Sequence, residues 1–213
     1  GIRFVIFFQG CPMRCLYCHN PDTWTIDNQN QENLRTVESL LKEYDGIKEF
    51  LHDGGITATG GEPLVQMEFL TELFEAAKKK GINTCLDTSG ILFRQERRPE
   101  FDRLMAVTDL VMLDIKHIDD AEHQKLTKQS NRHILEFAEY LKEKGVGLIL
   151  KNGVQAIKEE GGKLKLTLSD GEIETDMVIM AVGVRPDTAL AKDAGLELNK
   201  RGAIVVNEHM LTS

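Results

Sequence analysis

The sequence lacks several features that would place it in common functional classes. No run of apolar residues reaches the ~18 residues that a membrane-spanning helix requires; the longest, Ile2–Phe8, is interrupted by Arg3 and has the length of a strand. That run is also too short for a signal peptide, and no small-residue cleavage site follows it. Basic residues are not in excess, because 26 Lys and Arg face 34 Asp and Glu for a formal net charge of −8. This charge argues against nucleic acid as the main partner, and no membrane partner is expected.

Cysteine is scarce, and its distribution is uneven. Cys11, Cys15 and Cys18 fall within eight residues, and Cys85 is the fourth. Disulfides between such close neighbours would be strained, and a chain with 41% hydrophobic residues has no obvious need of a disulfide framework. The spacing therefore indicates a thiolate-bound metal in a reducing compartment, which predicts a cytoplasmic protein.

Strand-like and helix-like segments alternate through the first 145 residues. Strands are predicted over Ile2–Phe8, Gly55–Thr59, Ile82–Asp87 and Leu110–Asp114, and helices after Thr36 and over Phe69–Ala77, Arg98–Met105 and Arg132–Lys144. This order predicts βα units and a parallel sheet. Polar and thiol side chains follow the strand ends: Cys11, Glu62, Asp87, Asp114 and Lys116. Barrel-like α/β enzymes build their active sites from the loops at this edge of the sheet.

The pattern changes after Gly145. Short strands are predicted over Gly153–Lys158, Lys163–Leu168 and Glu172–Glu174, joined by glycine-containing turns that are typical of hairpins. Further strands are predicted over Val146–Leu150 and Met177–Val182. An antiparallel meander thus replaces the βα repeat, and we expect two domains, residues 1–145 and residues 146–213.

The motif Cys11-x3-Cys15-x2-Cys18 is the sharpest chemical signal in the chain. Three thiolates on one loop can hold three irons of a 4Fe–4S cubane and leave the fourth iron open for catalysis. A zinc knuckle that adds His19 is an alternative, although four ligands in nine residues are crowded for zinc. An electron-transfer ferredoxin site would need a fourth cysteine, and only Cys85, within a predicted strand, is available.

Combined with Gly60-Gly61-Glu62-Pro63, the cysteine motif resembles the radical S-adenosylmethionine (SAM) superfamily, with Tyr17 as the aromatic residue of C-x3-C-x-aromatic-C. The segments GIRFVIFFQGCPMRCLYCHNPDTW, GGITATGGEPLVQ, LDTSG and DLVMLDIK resemble the glycyl-radical-enzyme activases, the family of pyruvate formate-lyase activating enzymes. This resemblance extends over residues 1–145. The expected fold is α/β, a partial (βα) barrel of the radical SAM type with a β-rich C-terminal segment from a different family.

The resemblance implies a site as well as a fold. Cys11, Cys15 and Cys18 would ligate a 4Fe–4S cluster, and SAM would chelate its open iron. The other residues that the resemblance assigns to the cofactor site are Tyr17, His19, Gly60, Gly61, Glu62, Asp87, Thr88, Asp114 and Lys116. Among these, Gly60, Gly61 and Glu62 would line the methionine amino end, Tyr17 and His19 would lie near the adenine, Asp87 and Thr88 would lie beside SAM, and Asp87 would also help hold a monovalent cation. Simpler structural roles exist too: a turn cap for Asp87, or a surface ion pair for Asp114 and Lys116.

The resemblance also implies a reaction and partners. Reductive cleavage of SAM would give methionine and a 5′-deoxyadenosyl radical, which removes a Cα hydrogen from a glycine of a glycyl-radical enzyme such as pyruvate formate-lyase. A flavodoxin-like protein or another donor would supply the electron.

Beyond Gly145 the sequence resembles a different family, the pyridine-nucleotide-disulfide oxidoreductases of the coenzyme A disulfide reductase and NADH oxidase type. The segments AVGVRPDTALAKDAGL and GAIVVNEHMLTS carry this resemblance. However, the chain has no G-x-G-x-x-G fingerprint, and no cysteine follows Gly145. Two other functions therefore stay open: a catalytically inactive hybrid that at most binds a cluster, and a fragment of an NAD/FAD-dependent disulfide reductase.

Overall fold

The computed structural model describes residues 2–26, 34–52, 54–145, 153–175, 178, 187–200 and 202–212. The chain divides into two compact units, Gly1–Leu148 and Ile149–Ser213. None of the helices in these described ranges is long and apolar enough to cross a membrane.

The first unit is built on a four-stranded parallel sheet. Its strands are β1 (Phe4–Phe8), β2 (Ile56–Gly60), β3 (Thr84–Thr88) and β4 (Leu110–Leu113), which lie side by side in the order of the sequence. Its helices are α1 (Val37–Leu51), α2 (Met67–Lys79), α3 (Arg98–Met105), α4 (Asp120–Thr127) and α5 (Arg132–Glu143). Phe8 lies opposite Gly60, and Thr88 lies opposite Leu113. The carboxyl ends of the strands therefore meet at one edge of the sheet.

The local sequence explains where these elements begin and which face they bury. Thr36 caps α1 in a capping box: its hydroxyl accepts from the Ser39 amide at 3.2 Å, and the Ser39 hydroxyl accepts from the Thr36 amide at 3.0 Å. Leu40, Leu41 and Tyr44 then fall on one side of the helix, and all three are buried. One hydrophobic core joins residues of the four strands to residues of α1, α2, α3 and α5.

An aromatic cluster fixes α5 to this core. The ring centroid of Phe93 lies 4.9 Å from that of Phe101, 5.4 Å from that of Phe137 and 5.1 Å from that of Tyr140. All four rings are at most 1% exposed. The last predicted helix of the first domain is thus an integral part of the first unit.

The predicted α/β fold with a parallel sheet is confirmed, but helix α4 (Asp120–Thr127) was not predicted. Asp119 caps it by accepting a hydrogen bond from the Glu122 amide at 3.0 Å. Its buried residues are His123 and Thr127, both polar. Because the buried face has no apolar periodicity, the pattern that predicts an amphipathic helix is missing there.

The second unit contains an antiparallel meander, as the sequence predicted. Strands β5 (Val154–Glu160), β6 (Lys163–Leu168) and β7 (Glu172–Thr175) pair in that order, and a short helix α6 (Ala189–Asp193) follows. Gly161 and Gly162 form the first turn with φ of +62° and +82°, values that glycine adopts without strain.

Some predictions fall outside the described residues. These are the strand over Val146–Leu150 and, apart from Val178, the strand over Met177–Val182. The domain boundary between residues 145 and 146 stays a prediction for the same reason.

Candidate active site

The residues predicted to form a site meet in one cavity at the carboxyl edge of the parallel sheet. Its volume is about 380 Å³. Its lining includes every one of the predicted residues: Cys11, Cys15, Tyr17, Cys18, His19, Gly60, Gly61, Glu62, Asp87, Thr88, Asp114 and Lys116. The loops after all four strands contribute, so the strand order brings together residues that are far apart in sequence.

The thiols of Cys11, Cys15 and Cys18 are free and half-buried, and all three residues line this cavity. Burial raises the pKa of Cys11 and of Cys15, and the neighbouring thiols raise both further. For Cys15 the largest opposing influence is the ammonium group of Lys116, which lowers the pKa. A positively charged metal centre would reverse this balance and hold the thiols as thiolates.

The arrangement of the thiols can be compared with what different metal sites require. Among the described residues, no three His, Cys, Asp or Glu side chains lie close enough together to hold a single metal ion. A cubane requires a different arrangement, because each cysteine sulfur binds a different iron of the cluster. Three half-buried thiols spread along one loop and facing one cavity fit a 4Fe–4S cluster.

The cysteine loop, residues 9–24, has no regular secondary structure apart from a short 3-10 helix (Pro21–Trp24) and is held by specific contacts. The Gly10 amide donates to the Thr23 carbonyl at 2.8 Å, and the Cys11 amide donates to the Trp24 carbonyl at 3.1 Å. The Arg14 guanidinium donates to the Cys11 carbonyl at 2.6 Å and lies 5.0 Å from the centroid of the Trp24 ring. These contacts hold an irregular segment in one conformation at the carboxyl edge of the parallel sheet.

The carboxylate of Glu62 is a buried connection between the ends of β2 and β3. It is 1% exposed and accepts four hydrogen bonds: from the Leu64 amide at 3.2 Å, the Thr88 hydroxyl at 2.5 Å, and the amide and hydroxyl of Ser89 at 3.0 Å and 2.5 Å. Burial raises the pKa of Glu62, and the hydrogen bonds oppose that rise. Glu62 therefore fixes the loop after β3 against the loop after β2.

Gly60 and Gly61 allow the backbone of the β2 loop to approach the cysteine loop. The Gly61 amide donates to the Phe8 carbonyl, and the Glu62 amide donates to the Gly10 carbonyl, both at 2.8 Å. A Cβ atom on Gly61 would lie 2.5 Å from the Gly10 carbonyl oxygen and 2.8 Å from that of Thr23. Gly60 has a φ of +109°, which a side chain would strain.

The Gly61→Ala variant is expected to lose about 1–3 kcal/mol of unfolding free energy, because its methyl group would push the cysteine loop away from β2. Urea denaturation measures this loss. Gly46→Ala is the matched control, since Gly46 lies in α1 with nothing within 4 Å of the added Cβ atom. The control should gain about 0.5–1 kcal/mol from helix propensity. Equal stability of the two variants would contradict the close approach at Gly61.

Asp87 is oriented by its neighbour on β2. The Thr59 hydroxyl donates to Asp87 Oδ2 at 2.7 Å. The turn after β3 is capped by Thr88, whose hydroxyl accepts from the Gly90 amide at 2.9 Å. The described hydrogen bond of Asp87 thus ties it to β2, and the turn cap that its position allowed is made by Thr88.

Asp114, Lys116 and Tyr17 form a second group of cavity-lining residues, next to Cys15. The Lys116 ammonium makes an ion pair with Asp114 Oδ2 and lies 5.8 Å from the centroid of the Tyr17 ring. Burial alone would lower the pKa of Lys116, but the hydrogen bond and charge of Asp114, with smaller effects of Cys15 and Tyr17, raise it overall. The pair is therefore part of the cavity rather than an isolated surface contact.

Lys116→Met is expected to raise the pKa of the Cys15 thiol further, since it removes the charge that lowers it and leaves Asp114 unpaired. At a fixed pH below that pKa, a smaller thiolate fraction should slow alkylation of Cys15 in the metal-free protein. Mass spectrometry of iodoacetamide-treated protein reports the rate at each cysteine. Lys125→Met, which removes an exposed lysine paired with Glu122, should leave the rate unchanged. A faster reaction in Lys116→Met would contradict the assigned influence.

The sequence did not identify several residues of the site. Ser89, which gives two hydrogen bonds to Glu62, and Thr59, which orients Asp87, also line the cavity. Further lining residues that were not predicted are Met13, Asn20, Thr23 and Trp24. Ser89 follows Thr88 directly, so a polar residue after a strand end was the available signal; the others are recognised only by their contacts.

Comparison with protein families agrees with these features. The family model described as "Radical SAM superfamily" matches residues 5–154. A second model, "Pyridine nucleotide-disulphide oxidoreductase", matches residues 117–213 and overlaps the first. Both resemblances that the sequence motifs predicted are thereby confirmed, and the second lies in the C-terminal region as expected.

Individual relatives match about two-thirds of the chain. "Pyruvate formate-lyase 1-activating enzyme" of Escherichia coli (strain K12) is 52% identical over 148 residues, 68% of this chain and 58% of the relative. "Pyruvate formate-lyase-activating enzyme" of Streptococcus mutans is 51% identical over 148 residues, 68% of this chain and 56% of the relative. The chain thus spans little more than half the length of these relatives.

One solved structure also matches. It is a domain of pyruvate-formate lyase-activating enzyme from Bacteroides vulgatus ATCC 8482, 32% identical, covering 43% of this chain and 55% of that chain. Its TM-score of 0.39 is too low to support an argument about the fold.

Proposed function

The chain belongs to the radical SAM superfamily, whose model matches residues 5–154, and from this membership we propose that it is an activase that generates a glycyl radical on a partner enzyme. The proposed catalytic domain is residues 1–145. The observation that carries the proposal is the meeting of Cys11, Cys15 and Cys18 with the ends of β2, β3 and β4 in one cavity.

In the proposed site, Cys11, Cys15 and Cys18 hold a 4Fe–4S cluster as thiolates. When bound, the cluster supplies the low-potential electron that reductive cleavage of SAM needs. Gly60 and Gly61 present bare backbone to the cavity, which leaves space for the amino-acid part of SAM. The protein's own task is to orient the sulfonium and to exclude water.

The polar residues of the cavity have distinct proposed tasks. Glu62 already accepts four hydrogen bonds, so it acts mainly by holding Thr88 and Ser89 in place beside SAM. Asp87, oriented by Thr59, offers a carboxylate to the cofactor side of the cavity. Lys116 places a positive charge near Cys15 and is itself neutralised by Asp114.

The names of the relatives support a partner and a compartment. Because relatives at about half identity are named as activating enzymes of pyruvate formate-lyase, we propose pyruvate formate-lyase or a similar glycyl-radical enzyme as the target. A flavodoxin-like protein or another donor would supply the electron. A thiolate-bound cluster needs a reducing compartment, so the proposed location is the cytoplasm.

For residues 146–213 we propose a structural role without flavin or nicotinamide chemistry. The second family match supports a common origin with disulfide reductases. The chain has no G-x-G-x-x-G segment, and no cysteine follows Gly145. A yellow protein with a flavin spectrum would contradict this assignment.

Anaerobic reconstitution with iron and sulfide tests the proposed function. The reduced protein is expected to give an EPR signal of a 4Fe–4S cluster, and addition of SAM should change that signal because SAM binds the open iron. A signal that SAM leaves unchanged would contradict a formed SAM site. If no cluster assembles, the chain is the inactive hybrid.

A further inference from the structure

A segment outside the lining of the cavity forms hydrogen bonds with the cysteine loop. Residues 126–129 are here called the clasp segment; they comprise the last two residues of α4 and the two residues after it. The Arg14 amide donates to the Thr127 carbonyl at 2.8 Å, and the Leu16 amide donates to the Leu126 carbonyl at 2.9 Å. The Gln129 side chain donates from Nε2 to the Pro12 carbonyl at 2.9 Å. These three bonds hold the backbone at Pro12, Arg14 and Leu16, which lie between the first and third cysteines.

The shape of the clasp segment depends on a buried histidine. His123 is 0% exposed, and its Nδ1 lies 2.7 Å from the Gln129 carbonyl oxygen. A carbonyl can only accept, so Nδ1 carries the proton and donates to it; Nε2 has no partner in the part of the chain that is described. Thr127, also 0% exposed, donates to the His123 carbonyl at 2.8 Å and accepts from the Gln129 amide at 3.2 Å.

The next residues tie the same segment to the loop after β4. Asn131 is 3% exposed and donates from Nδ2 to the carbonyls of His117 at 3.1 Å and Ile118 at 2.8 Å. Its amide donates to Asp120 Oδ1 at 2.8 Å. Residues 126–131 therefore form hydrogen bonds both with the cysteine loop and with the loop that carries Lys116.

We propose that the clasp segment positions the cluster ligands, with Gln129 and His123 as positioning residues. Gln129 fixes Pro12, which lies directly after Cys11, and His123 fixes Gln129. The cysteine loop also has internal contacts, but the hydrogen bonds of the Pro12 carbonyl and of the Arg14 and Leu16 amides come from the clasp segment, so the backbone at these positions depends on this external support. The inference deepens the proposed function in assuming that the thiols bind a cluster; the contacts themselves are independent of it.

The first test uses metal-free protein and amide hydrogen exchange. In Gln129→Ala, the Arg14 and Leu16 amides are expected to exchange about tenfold faster than in the parent, because the loop opens locally once the Pro12 contact is lost. The matched control is Gln124→Ala, since Gln124 lies in the preceding helix α4 and the described hydrogen bond of its side chain goes to the exposed Asp120. The control should exchange like the parent. Unchanged exchange in Gln129→Ala would overturn the proposal.

A general loss of stability must be separated from a positioning effect. Amides of β2 should exchange at the parental rate in Gln129→Ala, because that strand is held by its own pairing with β1 and β3. If β2 amides accelerate as much as Arg14 and Leu16, the role of Gln129 is merely structural and the proposal is wrong.

The second test exchanges the buried donor. His123→Leu removes the hydrogen bond to the Gln129 carbonyl at similar volume, whereas His123→Asn keeps an N–H near the position of Nδ1. Fast exchange of the Arg14 amide is expected in the leucine variant and recovery in the asparagine variant. Equal exchange in both foldable variants would argue against His123 as a positioning residue.

In reconstituted protein, Gln129→Ala is expected to shift the g-values of the reduced cluster, and Gln124→Ala to leave them unchanged. Identical spectra of parent and both variants would overturn the positioning role. If the parent takes up no cluster, the proposed function fails, and amide exchange alone still decides whether the clasp segment holds the cysteine loop.

Discussion

The Cys15→Ala variant is expected to take up no stable 4Fe–4S cluster, whereas Cys85→Ala should take up as much iron as the parent. Cys15 is half-buried and lines the cavity, so its loss removes one of the three proposed thiolate ligands. Cys85 lies within β3, is 1% exposed and is not among the residues that line the cavity. The chemical change is the same in both variants, which makes each the control of the other.

Iron and sulfide per chain, together with the visible absorption of the cluster, measure the outcome after anaerobic reconstitution. Circular dichroism should show that both variants keep the parental secondary structure, since Cys15 lies outside the main core. Equal iron loss in Cys15→Ala and Cys85→Ala would contradict the assignment of ligands. So would full iron uptake in Cys15→Ala.

The Glu62→Ala variant is expected to lose about 2–4 kcal/mol of unfolding free energy. The substitution leaves four buried donors without their acceptor, and such groups are costly when desolvated. Urea denaturation followed by circular dichroism measures the loss. Glu68→Ala is a suitable control, because Glu68 is an exposed helix residue paired with Arg103, and surface pairs contribute little. A loss in Glu62→Ala no larger than in the control would show that the carboxylate is dispensable for the fold.

The pH dependence of stability gives a separate test of Glu62. Burial raises its pKa in the folded protein above the ordinary value of 4.5, so the folded state binds this proton more tightly than the unfolded chain. The contribution of Glu62 to the free energy of unfolding is therefore fully present below pH 4.5 and is lost as the pH rises through the pKa of Glu62 in the folded protein. The difference in unfolding free energy between the parent and Glu62→Gln should shrink over this range.

Carboxyl groups with lowered pKa, such as Asp120 and Glu136, change stability in the opposite direction. They are present in both proteins, so the difference between parent and Glu62→Gln isolates Glu62. A difference that grows with pH would mean that the four hydrogen bonds outweigh burial and keep the carboxylate ionised.

The sequence predicted the parallel sheet and the place of the site because both follow from short-range patterns. Strands such as Phe4–Phe8 are continuous apolar runs, and α1 begins at a recognisable cap, Thr36. Once four βα units are expected, the carboxyl ends of the strands must share one edge. Residues at those ends, from Cys11 to Lys116, then meet without any knowledge of side-chain contacts.

What the sequence could not predict depends on polar contacts between distant residues. Helix α4 was not predicted because its buried residues, His123 and Thr127, are polar, and amphipathic helices are recognised in a sequence by apolar periodicity. The family resemblance implies a place for Glu62 at the methionine amino end of SAM, but its four hydrogen bonds to the loops after β2 and β3 are visible only in three dimensions. The link between Gln129 and Pro12 has no sequence signature at all.

That link spans 117 positions of the chain, and this separation sets the timing of assembly during protein synthesis. As the chain leaves the ribosome, β1 to β4 can pair in the order in which they are made, because neighbours in the sheet are neighbours in sequence. The cysteine loop, although made first, receives its support only after residue 131 has emerged. Under the proposed function, iron would therefore enter a domain whose four strands have already been made, and the nascent thiols would have to stay reduced until then.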